Sequence, residues 1–494
     1  MEFSGLFFLY VLLPLFLLGY FLFPDVGRKN VYLIAVSFLM YALIQPLYAV
    51  VIFVISRANF RWSLMIRKGK KKTVAVPLLV NIVVLFVLRY LDPVLLAAGI
   101  GVGENGLLAG LIGRIVQGLN DHGMSLKIPV SLVPVGYAFF SLSSISYILD
   151  VYHGKYPPEK SFSQFLLYLV MFPKLFQGPL VRYDQVRLQL KQRGVYLRNI
   201  LEGATRFATG LGKKVLIADF CGRMLLELSE SGADQALFGA WLRPILVLFR
   251  IYFDLSAACD MAIGLGKILG FKFPENFKRP FTEMSVTEFF EGWNLTVRGF
   301  FCEYVYTPLR QRKEGTGNPY IAGFVAMMLM CLWYGGTFNF LLLGLYLAVI
   351  FFAEDKFQDF ITDLPYWLRH VLTYLALIFC AVLFENHDSA SIAAALKAMI
   401  GEGGAVIYGD GTRFLNAIPL LILCGVAVSD VPRKFRRKLR MICGIGQKNP
   451  KYEVHPMMNM LYWILSVIYI LAVFWLSTLA RIGAPAVESI FMRF

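Results

Sequence analysis

Apolar runs long enough to cross a bilayer recur from one end of this chain to the other, and that pattern decides which surroundings the fold must satisfy. About 17 to 25 consecutive apolar residues span the hydrocarbon layer as a helix. Such runs lie around Phe7 to Phe23, Val31 to Ile55, Val74 to Leu91, Ile200 to Leu226, Ala236 to Tyr252, Ile321 to Phe352, Leu368 to Phe384, Phe414 to Val428 and Met457 to Leu479. Ile128 to Leu149 and Phe162 to Phe176 are also apolar but are interrupted by Pro, Gly or charge. In a chain of 494 residues, 58% apolar and only 16% charged, this much apolar surface cannot be hidden in a soluble core. Lipid leaves helices or closed barrels as the spanning options, and a barrel would show short alternating strands. The expectation is an all-α polytopic membrane protein with roughly ten to twelve transmembrane helices and shorter re-entrant or interfacial pieces. The first run lacks a basic leader and a small-residue cleavage site, so it reads as a retained helix.

Charge is concentrated between the runs. The net charge is +16, and its densest stretches are Arg67-Lys68-Gly69-Lys70-Lys71-Lys72 and Arg433-Lys434-Phe435-Arg436-Arg437-Lys438-Leu439-Arg440, with smaller ones at Arg28-Lys29 and Arg310 to Lys313. Basic loops of this kind stay in the cytoplasm beside anionic lipid; a nucleic-acid partner would need a soluble basic face and is not expected. If Arg28-Lys29 is cytoplasmic, the N-terminus lies outside. A break at Gln45-Pro46 would then divide the second run into two short helices and return the Lys-rich loop to the cytoplasm. Seven cysteines show no CxxC or Cys/His spacing, so neither a disulfide framework nor a metal site is expected. The longest polar interval, Arg182 to Arg198, reads as an amphipathic connection, and residues 1–494 read as one membrane domain whose central region, 252–352, carries the motifs.

That central region departs from ordinary lipid-facing helix. Between Tyr252 and Pro308 stand Asp254, Asp260, Glu275, Asn276, Lys278, Arg279, Glu283, Glu288, Glu291, Asn294, Arg298 and Glu303, in or beside aromatic-rich apolar segments. Charge in hydrocarbon is costly, so these groups line a cavity, pair with one another or lie at the interface. Ser256, Ala257, Ala258, Gly264 and Gly266 permit close backbone packing there. On spacing alone, a reaction chamber and a set of ion-paired helices explain the charge equally well.

Several ordered blocks resemble the membrane-bound O-acyltransferase family, in its bacterial alginate O-acetylase and D-alanyl-lipoteichoic-acid transfer branch. They are Met1-Glu2-Phe3-Ser4 with Leu13-Pro14, Pro134-Val135-Gly136-Tyr137 through Tyr152, Phe172-Pro173-Lys174 through Tyr183, Gly210 to Asp219, Tyr252 to Gly264, and Gly270-Phe271-Lys272-Phe273-Pro274-Glu275-Asn276-Phe277. The resemblance implies a ring of helices around a thin central tunnel, in the cytoplasmic membrane. It also implies no bound cofactor, a cytoplasmic acyl-CoA or acyl-carrier-protein thioester as donor, and transfer to an extracytoplasmic acyltransferase partner or an envelope polymer.

Acyl transfer to a hydroxyl needs a base, and histidine suits it because its pKa lies near neutrality. In this branch one histidine stands in a Trp-His-x-Ser context and one in Trp-His-Gly. Here those positions read Trp293-Asn294-Leu295-Thr296 and Trp333-Tyr334-Gly335-Gly336, and a further family His-Gly corresponds to Leu347-Ala348. Tyr334, with an ordinary pKa of about 10, is a poor base, and Asn294 orients but takes no proton. Asp254, Asp260 or Glu291 would serve as a base only if buried with a raised pKa. Trp293, Arg298, Trp333 and Gly335 complete the candidate substrate path. Of the histidines present (122, 153, 370, 387 and 455), only His387 is placed to attract attention, in Phe384-Glu385-Asn386-His387-Asp388-Ser389, where the family usually carries an arginine. Two readings follow: a working O-acyltransferase with an altered site, or a non-catalytic relative serving as channel, scaffold or partner platform.

Overall fold

The computed structural model describes residues 3–66, 70–97, 110, 113–114, 117–118, 120–121, 136–175, 178–311, 317–404, 410–443, 456–483 and 487, and every regular element among them is helical. Arg67 to Gly69, Arg312-Lys313, Pro134-Val135, His122 and His455 lie outside the described residues. The chain forms two compact units, Leu13–Arg193 and Gly194–Phe494, the second joined by Glu2–Leu12.

The first unit contains α1 (Leu13–Leu22), α2 (Val26–Ile44), α3 (Pro46–Met65), α4 (Lys72–Ala97), α5 (Tyr137–His153), α6 (Phe162–Val170) and α7 (Tyr183–Lys191). The break read at Gln45-Pro46 is present: Gln45 leaves helical geometry and Pro46 opens α3, where its missing N–H costs nothing. The two halves run to 19 and 20 residues, longer than expected. In α3 and α4, Asn59 and Asn81 exchange amide hydrogen bonds of 3.1 and 2.8 Å, which satisfies two fully buried polar side chains.

The second unit contains α8 (Leu197–Lys213), α9 (Asp219–Glu230), α10 (Leu237–Ile268), α11 (Val286–Gly292), α12 (Leu295–Phe301), α13 (Pro319–Tyr334), α14 (Phe338–Lys356), α15 (Tyr366–Glu385), α16 (Ser389–Met399), α17 (Asp410–Val428), α18 (Val431–Ile442) and α19 (Pro456–Gly483). The run from Ile321 to Phe352 is thus not one span: Gly335-Gly336-Thr337 divides it into α13 and α14.

Five described helices are long and apolar enough to cross a membrane: Lys72–Leu91, Phe338–Lys356, Tyr366–Glu385, Gly411–Val428 and Met457–Gly483. Phe8–Leu22, Pro319–Tyr334 and Ser389–Met399 are apolar but shorter. Among the described residues these five meet the criterion by length and composition, in keeping with the expected all-α polytopic membrane protein. The longest described helix, α10, is outside that group because it carries Arg250, Asp254 and Asp260, all buried. It is an interior helix, and it organises the unit.

The close approach of α8 and α10 explains how α10 tolerates that burial. A Cβ on Gly203 would come within 2.7 Å of the Gly264 carbonyl, and one on Gly210 within 2.6 Å of the Ala257 carbonyl. Glycine at both places lets the backbones touch. The charges on α10 then meet partners across this seam. Asp260 pairs with Lys213 at 2.8 Å and with Arg206 at 2.6 Å, and Arg206 reaches on to Glu275 at 2.6 Å. Asp254 pairs with Lys214 at 2.9 Å; Lys214 also meets Asp219 at 3.1 Å, and Asp219 meets Arg481 of α19 at 3.1 Å. Lys214 lies in a π-helical turn, Lys214–Ala218, which links α8 to α9 and shifts the register of the side chains around it.

Two stability predictions follow from this seam. Gly264→Val forces a side chain onto the Gly203 carbonyl and the Phe207 backbone, and is expected to destabilise the protein by about 1 to 3 kcal/mol. Gly425→Ala, where an added Cβ meets nothing within 4 Å, is expected to stay within about 0.5 kcal/mol of the parent. Asp260→Asn leaves two half-desolvated cations facing a neutral amide and is expected to cost about 3 to 5 kcal/mol. Glu291→Gln, which breaks a solvent-exposed pair with Arg298, is expected to cost less than about 1 kcal/mol. Thermal and denaturant unfolding in detergent micelles measures both contrasts.

Candidate functional site

The geometry begins with two short segments that clamp each other. Extended residues 275–278 run beside 292–296: the Lys278 N–H donates to the Gly292 carbonyl at 2.8 Å, and the Leu295 N–H donates to the Asn276 carbonyl at 3.0 Å. The Asn276 side chain does the rest. Its Oδ1 accepts from the Thr296 N–H at 3.0 Å and the Thr296 hydroxyl at 2.8 Å, while its amide donates to Cys259 Sγ of α10 at 3.1 Å. A Cβ on Gly292 would strike the Lys278 carbonyl at 2.5 Å, so glycine is required for the clamp to close.

Between these hydrogen bonds Asn294 adopts the left-handed region, φ 43°, ψ 53°, as the residue preceding α12. Asparagine tolerates that conformation better than other residues with a side chain. The turn aims the buried Asn294 amide at the end of α13, where its Nδ2 donates to the Tyr334 hydroxyl. Asn294 Oδ1 is buried without a hydrogen-bond partner. As placed, one end of the amide meets Tyr334 and the other has no hydrogen-bond partner among the described residues.

Neighbouring elements hold this pair in place. Glu354 of α14 accepts from the backbone N–H groups of Val286 and Thr287 at 2.7 and 2.8 Å, which satisfies the first donors of α11 and anchors the helix leading to Trp293. Trp293 stacks on Phe289 with ring centroids 5.3 Å apart and meets Phe277 edge-on at 5.3 Å. Gly335 provides the turn after Tyr334 for a steric reason, since a Cβ there would fall 1.9 Å from the Phe340 ring. Asn339, fully buried at the start of α14, donates to the Leu383 and Phe384 carbonyls at 3.0 Å each and ties α14 to the end of α15.

The result is a partly open cavity of about 70 Å³ lined by residues of α10, α11, α13, α14 and α15 and by Trp293. Leu248, Ile251, Phe289, Phe290, Trp293, Cys331, Tyr334, Leu347, Leu377 and Phe384 are among its walls. Tyr334 and Leu347 line the same space, and Asn294 is bonded to Tyr334 behind it. Two of the three positions where the resemblance led us to expect histidine therefore line this cavity, and the third is bonded to one of them. Among the described residues, no imidazole and no carboxylate lines the cavity. Its polar features are a phenol, two thiols and an indole.

Other candidates lie elsewhere. Asp254 and Asp260 are held in the ion pairs of the α8/α10 seam, which leaves neither carboxylate in the cavity. Glu291 and Arg298 pair with each other at 2.9 Å on an exposed surface. Trp333 is buried edge-on to Tyr334, with centroids 5.2 Å apart, and braces it from outside the cavity wall. His387 is exposed beyond the end of α15, whose last residue, Glu385, is occupied by Arg243 at 2.7 Å. His370 packs against Tyr366 in α15, and His153 ends α5 in the other unit. Asn276 and Glu354 were not legible as site residues. Asn276 did stand within a family block, but Glu354 acts on a helix 67 residues away and carries no local signal.

The comparisons agree with this architecture. Residues 127–382 match the model of MBOAT, the membrane-bound O-acyltransferase family. A probable alginate O-acetylase AlgI of Pseudomonas putida is 37% identical over 213 residues, which are 43% of this chain and 44% of that one. Another, of Azotobacter vinelandii, is 30% identical over 400 residues, covering 79% and 76%. The teichoic acid D-alanyltransferase of Bacillus subtilis is 22% identical over 236 residues, covering 45% and 59%. Over its first relatives the chain spans about half their length. Similarity extends to both polymer-modifying groups of the branch. The chain belongs to the membrane-bound O-acyltransferase family and is an integral, multi-pass membrane protein.

Proposed function

We propose that this protein serves in the acylation of a cell-envelope polymer at the cytoplasmic membrane. It handles an acyl group that arrives as a CoA or carrier-protein thioester and is destined for an extracytoplasmic acceptor or partner acyltransferase. Family membership and the named activities of the relatives, on alginate and on teichoic acid, support that setting.

Within it, the geometry favours a non-catalytic member that binds the acyl donor or a partner and leaves proton transfer to another protein. One observation carries this reading: of the three positions where the resemblance expects histidine, Tyr334 and Leu347 line one cavity and Asn294 is hydrogen-bonded to Tyr334. General-base catalysis requires a group whose pKa lies near the working pH and which reaches the acceptor proton. An apolar enclosure works against forming a phenolate, and an amide accepts no proton at neutral pH. The carboxylates that could have substituted are committed to Lys213, Arg206 and Lys214.

A second reading is favoured by the Asn294 amide, whose unpartnered end is suited to hydrogen-bonding a substrate beside Tyr334. In that case the enzyme works with a positioned acceptor and a base carried by the substrate or a partner.

The two are separated by giving the purified protein a labelled acyl donor together with envelope extract. The non-catalytic reading expects label transfer by the native chain no greater than in the protein-free control, with donor binding retained, and no change in Tyr334→Phe or Asn294→Ala. Native transfer that falls at least about tenfold in either variant would replace it with the working-enzyme reading. Transfer gained only in Tyr334→His would support a scaffold that has lost its base.

A further inference from the structure

We propose that α18, Val431–Ile442, is an interfacial helix that binds an anionic lipid surface. Its sequence, VPRKFRRKLRMI, contains no acidic residue, and Arg433, Lys434, Arg436, Arg437 and Lys438 are all exposed. Val431, Phe435, Leu439 and Ile442 recur at helical spacing and form one stripe, with Arg433 and Arg437 on the opposite side and Lys434, Arg436 and Lys438 flanking it. The stripe is unpacked: Val431 is 59% exposed, Phe435 68% and Ile442 59%. A largely exposed apolar stripe, with Leu439 half-buried and cations at its borders, is the pattern of a helix lying in the headgroup region.

Its place in the chain puts it at that depth. Only Ser429 and Asp430 separate it from α17, a reach of at most about 11 Å, and Gly411–Val428 is long and apolar enough to cross the membrane. The helix therefore starts where a spanning segment leaves the hydrocarbon. Both of its ends are fastened to the second unit. Asp430 pairs with Arg279 at 3.1 Å, and Arg440 donates to the Tyr462 hydroxyl of α19 at 3.1 Å and lies 3.8 Å from Glu202 of α8. These contacts hold the helix in one orientation and leave its five remaining cations to outside partners. An acidic soluble protein would match the charge alone; a bilayer matches both the charge and the stripe. The inference does not depend on whether the cavity performs acyl transfer.

Hydrogen–deuterium exchange of the full chain tests this in nanodiscs of phosphatidylcholine alone and of phosphatidylcholine with equimolar phosphatidylglycerol. Exchange across 431–442 is expected to slow at least about threefold with the anionic lipid, a cautious floor for five cations near a charged surface. The difference is expected to vanish in R433Q/K434Q/R436Q/R437Q, with exchange in α10 unchanged. In F435Q, protection is expected to fall in both lipids. Equal exchange in the two lipids, or a difference that survives the quadruple substitution, would overturn the proposal. So would protection that appears only when an acidic carrier protein is added.

Discussion

The contact between α8 and α10 is the constraint on which the rest of the second unit depends. Glycines at 203, 210 and 264 bring two backbones together, and that closeness removes water from a strip of α10 that carries two aspartates. Desolvated carboxylates of this kind need partners. Arg206, Lys213 and Lys214 supply them from α8 and the π turn that follows it. The π turn matters because an added residue per turn rotates successive side chains. Lys213 consequently serves Asp260, while Lys214 turns inward to Asp254 and Asp219.

That arrangement shapes the site by subtraction. Asp254 and Asp260 are the two buried acids in the motif region between Tyr252 and Pro308, and both are ion-paired at the seam. What reaches the cavity from the same stretch of α10 is Leu248 and Ile251, and what closes it is an aromatic wall around Trp293. The clamp through Asn276 fixes Asn294 in a left-handed turn and hands its amide to Tyr334. The geometry is therefore well ordered for recognition, with hydrogen bonds, close packing and glycine-dependent turns all in place. Among the described residues, the side chains lining the cavity include a phenol, two thiols and an indole.

Much of this was legible in the residues. The apolar runs announced a helical membrane protein, Gln45-Pro46 marked a helix break, and small residues near Gly264 announced close packing because only they let backbones touch. The ordered motif blocks pointed to the family, and the substituted histidine positions were visible in the chain. Three things were not legible. Ile321 to Phe352 reads as continuous apolar sequence, yet Phe340 folding against Gly335 splits it. Asp254, Asp260 and Glu291 look alike as candidate acids, although two are buried in ion pairs and one is exposed. Glu354 gives no hint that it caps a helix elsewhere in the chain. Each depends on contacts between residues far apart in sequence, which local pattern does not encode.

Composition and periodicity determined by themselves that this chain is helical and membrane-embedded, because lipid admits few ways to satisfy a backbone and these runs have the length that one of them demands. Motif order determined its family. Only the tertiary structure decided which polar groups face the cavity and which neutralise one another, because a carboxylate's role is set by what lies within a few ångströms of it. Asp254 and Asp260, six residues apart on α10, are told apart only by their partners, Lys214 for one and Lys213 with Arg206 for the other. The same holds for Tyr334 and Leu347, which line one cavity, and for Asn294, which bonds to Tyr334, because packing brings their separate segments together.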